Sequence, residues 1–94
     1  MGEDQLRFCA ICGRDKPLQF HHLIPKKLHK KREFALRYEK SYMHTHGIEV
    51  CADCHRQIHR LFDLHELGRY YNTLEKLLQT QQIRKYLRYI VKKK

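Results

Sequence analysis

The stretch CADCHRQIH, residues 51–59, decides how this chain is organised, because it holds two kinds of metal ligand side by side. Cys51 and Cys54 form a C-x-x-C pair, and His55 is followed four residues later by His59. On a helix, residues four apart lie on the same face, one turn apart. Neighbouring residues on a helix point about 100° apart, so Cys54 and His55 suit two different centres better than one. We therefore expect these ligands to divide between two ions.

A second C-x-x-C pair, Cys9 and Cys12, is separated from Cys51 by 38 residues. Two such pairs supply the four thiolates of a tetrahedral structural zinc site, with iron or a site shared with histidine as the alternatives. A redox centre would need only one pair and a βαβ pattern, for which 94 residues leave too little chain. A domain this small has a marginal core, which a bound metal would stabilise.

Charge is the strongest bulk feature, since 20 Lys and Arg against 10 Asp and Glu give a net charge of +10. This surplus favours an extended anionic partner such as nucleic acid. Alternatively, the positive charge only keeps the protein soluble. Binding to an anionic membrane is a weaker alternative, because no long apolar face accompanies the charges. The chain has no apolar run long enough to span a membrane, and its polar N-terminus, MGEDQLRF, does not resemble a signal peptide. We expect a cytoplasmic protein that binds no membrane.

Short elements are predicted on both sides of a basic segment. Residues 7–13 have the pattern of a turn between cysteines. Residues 17–25 and 47–50 have the patterns of two strands, which we expect to pair as an antiparallel ribbon. Between them, residues 28–44 are predicted to be one helix from the spacing of Leu28, Phe34, Tyr38 and Tyr42.

Helices are predicted for the rest of the chain. One extends from Asp53 to about Phe62, and N-cap spacings place two more after Asp63 and Asn72. A last helix follows Thr80. The apolar repeats of these helices are predicted to be core, and their members are Leu67, Tyr70, Tyr71, Leu74, Leu77, Leu78, Ile83, Tyr86, Leu87, Ile90 and Val91.

His21 and His22 are adjacent in the first predicted strand, where neighbouring side chains point to opposite faces. One of them could bind a metal while the other acts as a base, and both roles require a neutral ring. The alternative is one buried structural histidine beside one exposed histidine. His55 and His59 could likewise be surface histidines that are protonated on contact with nucleic acid.

Three segments together, CAIC (9–12), FHHLIP (20–25) and HGIEVCADCHRQIH (46–59), resemble the HNH endonuclease family in its zinc-stapled form. The resemblance implies an α+β fold with a ββα-metal core over about residues 9–62. Residues 63–94 would form a helical extension, and residues 1–94 a single nuclease domain. It also implies a bacterial or phage origin.

The resemblance also implies roles for five histidines. His21 matches the first-strand metal ligand, His22 the general base that activates water, and His55 the final histidine, on the metal. His59 matches an additional helical ligand seen in nuclease colicins. His46 stands in the slot of the family's middle asparagine, nine residues before His55. That is a departure from the pattern, and it leaves His46 as either a substitute orienter of the base or a spectator.

The expected activity is metal-dependent hydrolysis of DNA phosphodiester bonds. Nitrogen ligands suit Mn²⁺, Ni²⁺, Co²⁺ or Zn²⁺ better than Mg²⁺, which prefers oxygen. A monomer with one catalytic centre would nick one strand with low sequence specificity, and a double-strand break would need a dimer or two visits. The residues expected to contact DNA phosphates are Lys26, Lys27, Lys30, Lys31, Arg32, Arg37, Arg56 and Arg60.

A rival hypothesis is a zinc-stabilised nucleic-acid-binding module without catalysis. It accounts for the charge and the cysteines. It leaves His21, His22, His55 and His59 without a role.

Overall fold

The computed structural model describes residues 8–90 and Lys92, which form an α+β fold with one two-stranded sheet and several short helices. Residues 1–7 of the N-terminal segment, Val91 of the predicted last helix, and Lys93 and Lys94 lie outside the described residues. Within the described part of the chain, no helix is long and apolar enough to cross a membrane.

The sheet pairs β1, Leu18–His22, with β2, Gly47–Cys51, in antiparallel register from Leu18 opposite Cys51 to His22 opposite Gly47. Both predicted strands and their antiparallel pairing are thereby confirmed. The alternation of a strand separates the two histidines of β1, because His21 is buried whereas His22 is partly exposed. The sheet therefore turns His21 toward the interior and leaves His22 accessible.

The basic segment departs from the prediction of one helix over residues 28–44. It forms a 3-10 turn at Lys26–Leu28, then α1, Arg32–Ala35, and α2, Lys40–Thr45. The apolar side chains that pack together here are Ile24, Leu28, Phe34 and Met43. Phe34 is six residues from Leu28 and nine from Met43, spacings that no single helix face offers, so the chain must break and turn to bury all of them.

Strand β2 continues into α3, Ala52–Leu61, with no intervening loop, because Cys51 is both the last residue of β2 and the N-cap of α3. This helix confirms the one predicted from Asp53 to about Phe62. Its buried side chains are those of Cys54 and Ile58. The face that carries the metal-ligand candidates is therefore fixed by the same residue that ends the sheet.

The last three helices are α4, Leu64–Tyr70, α5, Leu74–Leu78, and α6, Gln81–Ile90. Asp63 caps α4 in a reciprocal capping box with Glu66, as predicted. The hydroxyl of Thr80 accepts a hydrogen bond from the Ile83 amide at the start of α6, the helix predicted to follow Thr80.

The predicted cap at Asn72 is wrong, because Thr73 caps α5 by accepting a hydrogen bond from the Lys76 amide. Asn72 is buried instead, and its side-chain amide donates to the Gly68 carbonyl at 2.9 Å. The side chain of Asn72 thus satisfies a carbonyl of the preceding helix rather than an amide of the following one.

The main core joins the sheet, α3 and the three last helices, so α6 packs beneath the cysteine cluster. Its buried members include Val50, Ile58, Leu67, Leu77, Ile83, Tyr86 and Ile90. Tyr71, Leu74, Leu78 and Leu87 are partly buried against it. Tyr70 was predicted to be core and is 60% exposed, because Leu67 takes the buried face of α4.

Gly47 of β2 lies opposite His22 of β1. A Cβ atom at this position would meet the backbone oxygen of His21 and the ring of Phe20. We expect Gly47→Ala to lower the free energy of unfolding of the zinc-loaded chain by about 1–3 kcal/mol, measured by urea denaturation. Gly13→Asn is the matched control, since Gly13 has a φ of 76° in open space and asparagine tolerates that conformation. An unchanged stability of Gly47→Ala would contradict this packing.

Candidate functional site

Four cysteines from distant parts of the chain meet at the junction of β2 and α3. Cys9 and Cys12 come from the N-terminal turn, Cys51 ends β2, and Cys54 lies in the first turn of α3. Their sulfur atoms all lie within 4.8 Å of one another. This cluster is suited to a structural zinc ion, as the C-x-x-C spacing predicts.

Hydrogen-bond donors surround the sulfurs of this cluster. The backbone amides of Ile11 and Cys12 each point at the Cys9 sulfur at 3.4 Å. Tyr86 of α6 donates its hydroxyl to the Cys54 sulfur at 3.4 Å. Donors of this kind stabilise negative charge on sulfur, which is the form that binds a metal.

Arg14 adds a full positive charge beside the same cluster. Its guanidinium donates to the Cys12 sulfur at 3.2 Å and the Cys51 sulfur at 3.5 Å, and pairs with Asp53 at 3.1 Å. The hydrogen bond to Cys12, followed by that to Asp53, raises the pKa of Arg14 above its ordinary value. Arg14 therefore offsets part of the excess negative charge that four thiolates would leave around a divalent ion.

The contact between the Cys9 and Cys54 side chains shifts the pKa values of the two thiols in opposite directions. The side-chain hydrogen bond from Cys54 lowers the pKa of the Cys9 thiol to about 4. The same contact, followed by burial, raises the pKa of Cys54 above its ordinary range. Binding of a zinc ion would favour the thiolate form of all four sulfurs.

Three histidines form a second cluster, distinct from the cysteines. His21 of β1 faces His55 and His59 of α3, with ring centroids 5.4 Å and 5.3 Å away. One nitrogen from each of the three rings lies within 4.8 Å of the others, so together they could hold a metal ion. The division of the cysteines and histidines into two separate clusters agrees with the sequence prediction.

His21 is the anchor of this second cluster. It is 1% exposed, and among the described residues neither of its ring nitrogens has a hydrogen-bond partner. Burial first, and then the charges of His59 and His55, lowers the pKa of His21 to about 3, so the ring is neutral at pH 7. A buried polar nitrogen without a partner is costly, and a metal ion bound between the three rings would supply one.

Gln19 orients one of the other two rings. Its side-chain oxygen lies 2.7 Å from His55 Nδ1, and because an amide oxygen only accepts, Nδ1 is the donor. That leaves the Nε2 lone pair of His55 free for a metal, the usual arrangement around histidine ligands. Sequence analysis missed Gln19, although its position two residues before His21 puts it on the same face of β1.

His22 lines the same cleft as the three ligand candidates. The cleft has a volume of about 280 Å³ and is also lined by Phe20 and Lys27. The ring of His22 lies 5.8 Å from that of His29 and 6.0 Å from that of His44, two residues that sequence analysis did not single out. Partial burial and the charges of these two histidines lower the pKa of His22. His22 is therefore a neutral, accessible base beside the candidate metal site.

His46 lies away from this cleft. Its Nε2 atom donates to the Asn72 carbonyl at 2.7 Å, and its ring stacks on Tyr42 with centroids 4.8 Å apart. Its own carbonyl accepts a hydrogen bond from the Leu23 amide at 3.0 Å, directly after His22 in the chain. A contribution of His46 to the site is therefore confined to its backbone, which holds the end of β1.

The basic residues expected to contact DNA fall in different places. Lys26 and Lys27 line the histidine cleft, and both of them and Lys30 line a larger neighbouring cleft. Those that line neither cleft and are exposed are Lys31, Arg32 and Arg37. Arg56 and Arg60 line a separate hollow beside α6, and Arg56 pairs there with Asp53 at 3.3 Å.

Comparison with known proteins finds one relative of unassigned role. The chain is 29% identical over 85 residues to "Uncharacterized protein YisB" of Bacillus subtilis (strain 168), a match that covers 89% of this chain and 73% of the relative. No protein-family model matches the chain. No solved structure matches it.

Substitution of Gln19 tests the histidine cluster without changing any of the three candidate metal ligands. We expect Gln19→Ala to weaken Co²⁺ binding by the zinc-loaded chain about 10–100-fold, because His55 would lose its orienting partner. Gln19→Glu retains an acceptor oxygen and should bind Co²⁺ nearly as tightly as the unaltered chain. Visible absorption measures the binding, and a spectrum without sulfur-to-cobalt charge transfer identifies the histidine site. Equal affinity of Gln19→Ala and the unaltered chain would contradict this assignment.

Proposed function

We propose that this protein is a metal-dependent DNA endonuclease of the HNH type, in which β1, β2 and α3 form the ββα-metal core. The observation that carries the proposal is the pair of adjacent histidines in β1. His21 is buried between His55 and His59, with two ring nitrogens that no residue in 8–90 hydrogen-bonds, and His22 stands beside it in an open cleft. A binding module without catalysis would have no use for that arrangement.

His21, His55 and His59 would hold the catalytic divalent ion. Their three nitrogens suit Mn²⁺, Ni²⁺, Co²⁺ or Zn²⁺ better than Mg²⁺. When bound, such an ion would polarise the scissile phosphate and stabilise the leaving 3′ oxygen. His59 is the most exposed of the three candidate ligands, so its loss should weaken binding less than the loss of His21.

His22 would act as the general base of the reaction. Partial burial and the neighbouring His29 and His44 keep its pKa below the ordinary value, so at pH 7 it is ready to accept a proton from water. An interaction with the His44 backbone opposes that shift and favours a fixed ring orientation. His22 would then direct the activated water at the phosphorus.

His46 would be a positioning residue that acts through its backbone. Its ring is held by Asn72 and Tyr42, and its carbonyl holds the Leu23 amide next to His22. The middle asparagine of the HNH family holds a loop and orients the base through backbone hydrogen bonds. The contacts of His46 support a similar task for it, in which Asn72 and Tyr42 hold the ring and the backbone carbonyl makes the hydrogen bond next to the base.

DNA would reach this site along a basic surface. Lys26 and Lys27 line the histidine cleft and can contact phosphates on either side of the scissile bond without reading sequence. The chain would act as a monomer that nicks one strand with low sequence specificity. A dimer would be required to cut both strands in one encounter.

The proposal is tested by incubating supercoiled plasmid with the zinc-loaded protein in Mn²⁺, Mg²⁺ or EDTA. We expect relaxed circles with Mn²⁺, slower nicking with Mg²⁺ and none with EDTA. His22→Ala should lower the nicking rate about 100-fold or more, the usual loss on removing a general base. His65→Ala is the matched control, because His65 is an exposed histidine of α4 that does not line the cleft.

A wild-type protein that shifts the plasmid on a gel in Mn²⁺ and never nicks it would overturn the proposal in favour of the binding module. Equal rates in Mn²⁺ and Mg²⁺ would overturn the all-nitrogen assignment of the ion. Circular dichroism and zinc content establish that each variant is folded before its rate is compared.

A further inference from the structure

A second cleft, larger than the histidine cleft, lies directly beside it. Its volume is about 840 Å³, within the range of about 300–1,000 Å³ typical of small-molecule sites. It lies between the 3-10 turn, α1 and α2, the elements that replace the predicted single helix. The role proposed for the histidine cleft does not use this space.

The rim of this cleft is positively charged. Four lysines line it, Lys26, Lys27, Lys30 and Lys40, against the one carboxylate of Glu39. All four lysine side chains are exposed. This rim complements an anionic ligand with several phosphates, such as a nucleic-acid strand.

The floor of the cleft is apolar and partly aromatic. It is formed by Ala35, Tyr38 and Met43, of which Met43 is fully buried. Tyr38 is fixed in place because its ring stacks on Tyr42 with centroids 5.6 Å apart and planes 15° from parallel. Phosphates gain nothing from such a floor, whereas the face of a nucleobase does.

The two clefts adjoin each other. Lys26 and Lys27 line both, and His29 and His44, whose rings flank His22 in the first cleft, line the second. A strand whose phosphate lies beside His22 would therefore carry its neighbouring nucleotide toward the second cleft. A base within a duplex is stacked and paired and offers only its edges in the grooves. Only a base outside the stack could lay its face on the apolar floor of this cleft.

We infer that the second cleft binds an unpaired nucleotide of DNA next to the phosphate presented to His22. The inference rests on the proposed function and deepens it, because it names single-stranded or gapped DNA as the preferred substrate. The lysine rim binds the backbone of that nucleotide, and the floor formed by Ala35, Tyr38 and Met43 receives its base.

The test measures binding by His22→Ala protein, which keeps the result independent of cleavage. Fluorescence anisotropy compares a single strand, a duplex with a gap of a few nucleotides, and a continuous duplex of equal length at one salt concentration. We expect the single strand and the gapped duplex to bind roughly tenfold more tightly than the continuous duplex, the gain expected from stacking one base. Equal affinity for the three would overturn the inference.

Substitutions at two adjacent positions test the apolar floor of the cleft independently of its charge. In the His22→Ala background, Ala35→Tyr fills the floor without altering charge and should abolish the preference for unpaired DNA while leaving duplex binding intact. Leu36→Tyr is the matched control, because Leu36 is 75% exposed and does not line the cleft. A preference that survives in Ala35→Tyr as in Leu36→Tyr would show that the base does not enter the cleft.

A second pair of variants tests the rim. The double variant Lys30→Ala, Lys40→Ala should bind a single strand more weakly. The slope of log binding constant against log salt concentration should fall in magnitude by about 1.4, since each lost phosphate contact on a single strand contributes about 0.7. Lys85→Ala with Arg88→Ala removes the same charge from α6 and should change the slope less. Equal slopes for the two pairs would overturn the role of the rim. If the protein prefers unpaired DNA but never nicks plasmid, the proposed nuclease activity is refuted and the proposed binding of a nucleotide in the second cleft is not.

Discussion

The meeting of four cysteines at the junction of β2 and α3 is the constraint on which the rest of the structure depends. Cys51 ends β2, caps α3 and stands opposite Leu18 in the sheet, so one residue fixes the strand, the helix and their angle. Cys54 follows in the first turn of α3, and Tyr86 ties α6 to its sulfur. In a chain of 94 residues, a zinc ion at this point would replace much of the core that a larger domain would have.

The histidine cluster takes its geometry from the same junction of β2 and α3. Because β2 runs into α3 without a loop, the register of the sheet sets how far His55 and His59 stand from His21. The strand's alternation then sends His21 inward and leaves His22 in the cleft. One short ribbon thus separates a candidate ligand from a candidate base at neighbouring positions, and rigid elements hold both, as a reactive site requires.

Much of this arrangement could be predicted from the sequence, since it depends on local spacing. The cysteine pairs, the i, i+4 histidines of α3 and the alternation at His21 and His22 are all patterns within a few residues. The positions of His29 and His44 could not be found this way, because 14 residues separate them and only the turns around α1 bring both to His22. The same breaks create the lysine-rimmed cleft, which a single helix over residues 28–44 would not contain.

The central claim is that the chain holds two separate ions, one on sulfur and one on nitrogen. Anomalous diffraction from crystals grown with zinc and soaked in Mn²⁺, recorded at the zinc and manganese absorption edges, tests it most directly. The account predicts a zinc peak among Cys9, Cys12, Cys51 and Cys54, and a manganese peak among His21, His55 and His59. A single peak at the cysteines, with no metal between the histidines at millimolar Mn²⁺, would contradict it.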